Sequence, residues 1–129
     1  MRWDPAQYVR YADERARPFH ELLARVAADR PRLVVDLGCG PGTLTATLAQ
    51  RWPDADVVGV DSSPEMIGEA GLLATDRLSF SLGRVEEWRA SVQPDVLISN
   101  ATLQWVPGHR ELLRDWARAL PARGWLAFQ

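Results

Sequence analysis

The sequence predicts an α/β fold with a largely parallel sheet. Three observations lead there: short β-branched runs, helical patterns alternating with them, and a glycine-rich loop carrying the first run into a helix. Asp4-Pro5 reads as an N-cap followed by proline at the first helical position, opening a helix to about Arg15. Arg17-Pro18 is expected to break or kink it, because proline disfavours helix in the residue before it. A second helix is expected from Pro18 to about Ala28, with Phe19, Leu22, Leu23 and Val26 on one face. Leu33 to Leu37 reads as a buried parallel strand, followed by the loop Gly38-Cys39-Gly40-Pro41-Gly42. Thr43 to Arg51 reads as a helix with Leu44 and Leu48 inward, and Asp56 to Val60 as a second strand.

Ser63-Pro64 repeats the cap-then-proline signal and opens a helix to about Leu73. Leu78 to Leu82 alternates and suits a third strand at a sheet edge. Pro94 to Ser99 is a fourth strand. Arg110 to Leu120 is a helix whose apolar stripe is Leu112, Leu113, Trp116 and Leu120, and Trp125 to Phe128 is a fifth strand. Residues 1–30 form an amino-terminal helical segment, a candidate lid or acceptor segment, and residues 31–129 form the core, within one domain overall.

Composition narrows the function. The 129 residues are 47% hydrophobic and 25% charged, an ordinary globular balance, and the formal net charge of −2 leaves no nucleic-acid footprint. All 15 basic residues are arginine, which removes mechanisms needing a lysine amine. The single cysteine, Cys39, allows no intrachain disulfide and fits a reducing, cytoplasmic location. No apolar run approaches the roughly 20 residues of a membrane span, and the first residues lack a signal-peptide core. Neither His20 nor His109 has a ligand-spaced neighbour, so no metal site is expected.

The sharpest signal is Asp36-Leu37-Gly38-Cys39-Gly40-Pro41-Gly42 between strand and helix. Glycines there let the backbone turn tightly and approach a ligand at the carboxyl ends of the strands. Asp61 ends the second strand, about 20 residues on, where a carboxylate can accept both hydroxyls of an adenosine ribose. The spacing is G-x-G-x-G, not the G-x-G-x-x-G of pyrophosphate sites. Asp36 would repel a pyrophosphate but suits a cationic amino group. Adenosine with a positively charged amino-acid tail is S-adenosylmethionine. The bland alternatives are that Asp36 caps the loop's own amides and that Asp61 caps the helix at Pro64.

Residues 33 to 129 resemble the class I methyltransferase family, specifically in Asp36–Gly42 and Asp61–Met66. The resemblance implies a Rossmann-like sheet and S-adenosyl-L-methionine as cofactor. It implies contacts from Asp36, Gly38, Cys39, Gly40, Gly42, Asp61 and Asn100, with Ser62 and Met66 near the adenine. Met66 reads equally well as core, sharing a helix face with Ile67 and Ala70. The family often has an acid after strand three, where this chain has Arg84. The adenine contact would then fall to the Val85 backbone N–H or to Glu86, unless Glu86 and Glu87 simply open a solvated helix.

A wider pattern resembles the branch of that family that esterifies a carboxylate of a small polycarboxylate. It comprises Trp3-Asp4-Pro5 with Tyr8, Glu14-Arg15-Ala16-Arg17-Pro18, Gln50-Arg51-Trp52-Pro53, and Asn100-Ala101 with Leu103-Gln104-Trp105. By that resemblance Tyr8, Tyr11, Arg15, Arg17, Gln104 and Trp105 are the acceptor-side candidates. Each arginine could equally lie on a solvated helix face, and Trp105 could be a packing residue. A carboxylate is already anionic near pH 7, so no general base is required. Positioning and arginine forks would carry the reaction.

The family sheet has seven strands in the order 3-2-1-4-5-7-6, and five are expected here, so the chain reads as a shortened form. Strand five would then expose an edge and the apolar Trp125 and Phe128, a route to a homo-oligomer. The alternatives are another small-molecule or carrier-bound carboxyl methyltransferase, a catalytically silent cofactor-binding fragment, and a nicotinamide oxidoreductase, which Asp36 and the glycine spacing disfavour.

Overall fold

Five strands of four to six residues pair into one sheet: β1 (Leu33–Leu37), β2 (Asp56–Asp61), β3 (Leu78–Leu82), β4 (Val96–Ser99) and β5 (Trp125–Phe128). The computed structural model describes residues 12–100 and 102–129, with the side chains from residue 16 onward except that of Gln104. The sheet order is β3-β2-β1-β4-β5 and every pairing is parallel. The expected alternation of strands and helices therefore holds, with β3 at one edge. At the other edge β5 pairs with β4 alone among the described residues.

Side chains alternate between the two faces of each strand. Val34, Val57, Leu78, Val96, Ile98 and Ala127 point to one face, where they are buried with Phe19, Leu23 and Val26 and with Leu48 and Trp52. Phe19 and Leu23 lie on α1 (Ala12–Ala24) and Leu48 on α2 (Thr43–Arg51). Val35, Leu37, Val60 and Leu97 point to the other face. There they meet Leu112 and Trp116 of α4 (His109–Ala119), with Val85, Leu103 and Val106. The helix α3 (Pro64–Ala70) follows β2. No helix is long and apolar enough to cross a membrane among the described residues.

Three expectations are corrected. The helix does not break at Arg17-Pro18: α1 runs through Pro18, which gives up one backbone bond. That loss, about 3 kcal/mol, is offset by Phe19 (1% exposed) and Leu23 (7%) buried on the sheet, each contributing roughly 1.5–3 kcal/mol. The helix also stops at Ala24, not Ala28, in tighter bonds from the N–H groups of Arg25 and Val26 to the carbonyls of Leu22 and Leu23. The helix opened by Pro64 ends at Ala70 and tightens into a 3-10 turn over Gly71–Leu73, consistent with the low helix propensity of Gly68 and Gly71. The expected helix from Asp4 lies, before residue 12, outside the described residues.

The end of α1 is held by α2. Arg51 donates from both terminal guanidinium nitrogens to the carbonyls of Leu23 and Val26, and its Cζ lies 4.4 Å from the Trp52 ring centroid. Trp52 Nε1 donates to the Ala28 carbonyl at 3.0 Å. These bonds engage carbonyls at and just beyond the end of the helix. They tie the amino-terminal segment to the helix that begins at the glycine loop.

Candidate functional site

The loop between β1 and α2 is built from glycines in the left-handed region: Gly38 at φ +84°, Gly40 at +59° and Gly42 at +84°. A side chain would strain each of these turns. Space forbids it as well. A Cβ on Gly38 would lie 2.1 Å from Thr102 Oγ1, and one on Gly42 would lie 2.8 Å from the Phe80 ring. The loop is stitched to the end of β2, since the N–H groups of Gly38 and Cys39 both donate to the Val60 carbonyl, at 2.7 and 3.0 Å. Cys39 is buried, and burial, reinforced by Asp36 and Asp61, pushes its thiol pKa up, so it stays a neutral packing group.

Asp61 ends β2 and is half-buried. Its Oδ2 accepts from the Gly40 N–H at 2.9 Å and its Oδ1 from the Ser63 N–H at 2.9 Å. One carboxylate thus joins the glycine loop to the start of α3. The N-cap of α3 is Ser63, whose Oγ accepts from the Met66 N–H at 3.3 Å, with Pro64 at the first helical position. Asp61 does not cap that helix itself; it holds the residue that does. A carboxylate has about four acceptor directions, so Asp61 keeps capacity for a diol beyond its two backbone bonds.

Asp36 has the opposite surroundings. Its place in β1 aims it at the α2 face, together with Val34, and it is 3% exposed. Its Oδ2 accepts from Thr45 Oγ1 at 2.8 Å, and it does not cap the loop's amides among the described contacts. Burial raises its pKa to about 7, the Thr45 hydroxyl partly counteracts this, and the charge of Asp61 adds to the rise. A carboxylate held in this way lacks a counter-charge among the described residues. A cationic group at the loop would supply one, and a pyrophosphate would not.

The remaining candidates are distributed along the same strand ends. Ser62 is exposed in the β2–α3 turn, and Met66 is buried at 1% exposure. Val85 is buried at the start of a 3-10 turn, Val85–Glu87. Arg84, before that turn, is exposed and pairs with Glu86 at 3.4 Å and Glu87 at 4.0 Å. Asn100 follows β4 and accepts at Oδ1 from Gln129 Nε2 at 2.9 Å. On the acceptor side, Arg17 is exposed and bonded to Glu21 at 3.0 Å, and Trp105 is 55% exposed. Tyr8 and Tyr11 lie outside the described residues, as do the side chains of Arg15 and Gln104. The structure therefore brings Asp36, Gly38, Cys39, Gly40, Gly42 and Asp61 together, while Arg17 stands on α1, paired elsewhere.

Four contributors escaped the sequence reading: Thr45, Phe80, Thr102 and Gln129. Strand alternation could have found Thr45, because Asp36 shares the α2 face with Val34 and Thr45 lies at the start of that helix. Phe80 sits beside Gly59 in the register, and Gly59 sits beside Asp36. A Cβ on Gly59 would lie 2.7 Å from the Phe80 ring and 2.9 Å from Cys39. Phe80 therefore forms the floor under the loop, which only the pairing register discloses.

A parallel sheet in this order, with a left-handed glycine loop and paired acids at two neighbouring strand ends, defines a nucleoside-binding α/β domain. The chain belongs to the methyltransferase family, whose domain model matches residues 34–124. The trans-aconitate 2-methyltransferase of Rhodococcus jostii (strain RHA1) is 54% identical over 129 residues, covering 98% of this chain and 49% of that protein. That of Streptomyces avermitilis is 48% identical over 134 residues, covering 98% and 50%. The chain spans about half the length of the curated relatives it matches. Among solved structures, the DhpI–SAH complex superposes with a TM-score of 0.74 at 29% identity, over 95% of this chain and 59% of that one. The Haloferax volcanii putative methyltransferase, in complex with its Trm112 activator, superposes with a TM-score of 0.81 at 26% identity, over 92% and 54%. S-adenosyl-L-methionine is the cofactor this domain takes, and the loop and its two unlike acids fit its nucleoside and its cationic tail.

Proposed function

We propose that this chain forms the cofactor-binding part of an S-adenosylmethionine-dependent O-methyltransferase that esterifies one carboxylate of trans-aconitate or a similar small polycarboxylate. The observation that carries the reading is the pair of acids: Asp61 bridging loop and turn, Asp36 buried with no counter-charge beside it among the described residues. The identity to named trans-aconitate methyltransferases supports the acceptor class. When bound, the cofactor supplies a methyl group on a sulfonium, open to attack by a carboxylate oxygen.

The chain's own residues bind and orient. Asp61 accepts from the ribose hydroxyls with the directions its backbone bonds leave over. Asp36 balances the charge of the amino group. The glycines, and Cys39 between them, give the tail access to bare backbone. Ser62 and Met66 border the adenine, and the Val85 N–H donates to one of its ring nitrogens. No residue is assigned as a general base, since the acceptor is ionised near pH 7. Tyr8, Tyr11, Arg15, Arg17, Gln104 and Trp105 are proposed to meet the acceptor, with Arg17 exchanging Glu21 for an acceptor carboxylate.

A second reading is favoured by a specific observation. Arg17 and Trp105, the acceptor candidates whose side chains are described, are both exposed. The chain alone would then bind cofactor and transfer no methyl group. Calorimetric titration of S-adenosylmethionine and S-adenosylhomocysteine, with Asp61→Ala as control, tests the shared part. Micromolar binding lost in the variant is expected; a folded chain that binds neither ligand refutes it. Labelled methyl transfer to a panel of di- and tricarboxylates then separates the two readings.

A further inference from the structure

Gln129 follows β5 as Asn100 follows β4, and the two strands end in the paired residues Ser99 and Phe128. The backbone N–H of Gln129 donates to the Ser99 carbonyl at 3.1 Å, extending the ladder by one bond. Its side chain then reaches across, Nε2 donating to Asn100 Oδ1 at 2.9 Å. The Asn100 carbonyl is also engaged, accepting from Thr102 Oγ1 at 3.2 Å. The same Thr102 hydroxyl marks the edge of the glycine loop, where it excludes any side chain on Gly38.

Register places Asn100 relative to the loop. Asp36 is paired with Ile98, so two residues further along the strands stand Gly38 and Asn100. β4 lies between β1 and β5. Asn100 has its oxygen held on the β5 side, by Gln129, and the two ends of a carboxamide point apart. Its NH2 end is therefore directed away from β5. A carboxamide in solution rotates freely, and presenting either end is then a matter of chance. Here one end is engaged by an exposed hydrogen bond, which favours one presentation of the donor end.

We propose that Gln129 is a positioning residue, holding Asn100 so that its NH2 group faces a ligand carboxylate at the glycine loop. The inference rests on the cofactor reading above. Two carboxylates could meet that group: that of the cofactor's methionine tail, and one on the acceptor. Their chemistry is shared, and the experiment separates them.

The test uses the whole chain and four forms: wild type, Gln129→Met, Asn100→Ala and the double variant. Methionine keeps the length of Gln129 and removes its hydrogen bond, while the backbone bond to Ser99 stays. Each form is titrated by calorimetry with S-adenosylhomocysteine and with 5′-methylthioadenosine, which shares the nucleoside thioether but lacks the amino-acid tail. Trans-aconitate is then titrated into the forms loaded with S-adenosylhomocysteine. Gln129→Met is expected to weaken one carboxylate ligand about three- to tenfold, the range of one hydrogen bond. It should leave methylthioadenosine unchanged and have no further effect in the Asn100→Ala background. Loss on S-adenosylhomocysteine assigns the group to the cofactor carboxylate; loss on trans-aconitate alone assigns it to the acceptor. Equal loss on methylthioadenosine, equal loss in both backgrounds, or no loss on either carboxylate ligand overturns the proposal. A folded wild type that binds neither nucleoside sinks the cofactor reading first, a result distinct from any of these.

Discussion

Asp36 and Asp61 stand on neighbouring strands, flank one loop, and do opposite work. Asp61 is half-exposed and bonded to two backbone N–H groups, so its charge is already compensated by the fold it helps to hold. Asp36 is almost wholly buried with one hydroxyl partner among the described residues, and burial pushes its carboxyl pKa up to about 7. The first acid holds the scaffold. The second costs the ligand-free fold free energy that a cation at the loop would return. Identical side chains, placed about a loop's width apart, are thus divided by burial into a structural and an electrostatic role.

The largest effect expected is at Asp36. Its carboxyl is raised by burial from the usual range to about 7, so the folded chain holds a proton there that the unfolded chain has lost. The sign follows: the contribution to stability is fully present below about pH 4 and is lost as pH rises through 7. Above that pH the ionised group costs the ligand-free fold roughly 4 kcal/mol. Asp36→Asn should remove this arm, raising ligand-free stability at pH 8 while weakening S-adenosylhomocysteine. Urea unfolding at pH 5 and pH 8 reads the first effect and calorimetry the second. For wild type, affinity should be flat above pH 7 and fall by up to tenfold per pH unit below it. A stability profile unchanged by the substitution would erase the contrast between the two acids.

Asp61→Asn addresses the other member. Asparagine keeps the shape but offers one acceptor end, so one of the two backbone N–H groups would face an NH2. Charge-assisted bonds of this kind contribute about 1.5–3 kcal/mol each, and a loss of roughly 2–3 kcal/mol is expected. If Asp61→Asn instead folds as stably as wild type and loses only ligand, Asp61 is a ligand residue and not a scaffold.

Gly42→Ala should cost about 2 kcal/mol, from left-handed strain and crowding. Its φ is +84° and the added Cβ would lie 2.8 Å from the Phe80 ring. The paired variant with Phe80→Leu should recover the crowding part and not the strain, which denaturant midpoints would resolve.

Much of this was legible in the residues. Asp36, the glycines and Asp61 announce themselves because each occupies a fixed offset from a strand end, and β-branched runs mark strand ends plainly. Ser63-Pro64 announced the start of α3 for the same local reason. What lay hidden was non-local. Thr45, Phe80 and Gln129 matter through partners 9, 21 and 29 residues away in Asp36, Gly59 and Asn100. Those contacts depend on register and sheet order, which no offset records. Pro18 misled in the other direction: its local rule was sound, and tertiary burial of Phe19 and Leu23 outweighed it.

The smallest effect expected tests whether a third strand end joins the pair. Arg84 follows β3 where the family often carries an acid, and it pairs with Glu86 and Glu87 in solvent. Its guanidinium pKa is raised, first by the Glu86 hydrogen bond, and the Glu86 carboxyl is lowered, mainly by a backbone hydrogen bond. Exposed pairs of this kind change stability little and are screened by salt. Arg84→Ala should therefore leave the thermal midpoint and S-adenosylhomocysteine affinity unmoved at physiological ionic strength. If affinity instead rises on removing Arg84, Glu86 has been released to meet the adenine amine, and the site rests on three strand ends. If it falls, the arginine itself touches the ligand, and the division of labour between Asp36 and Asp61 is incomplete.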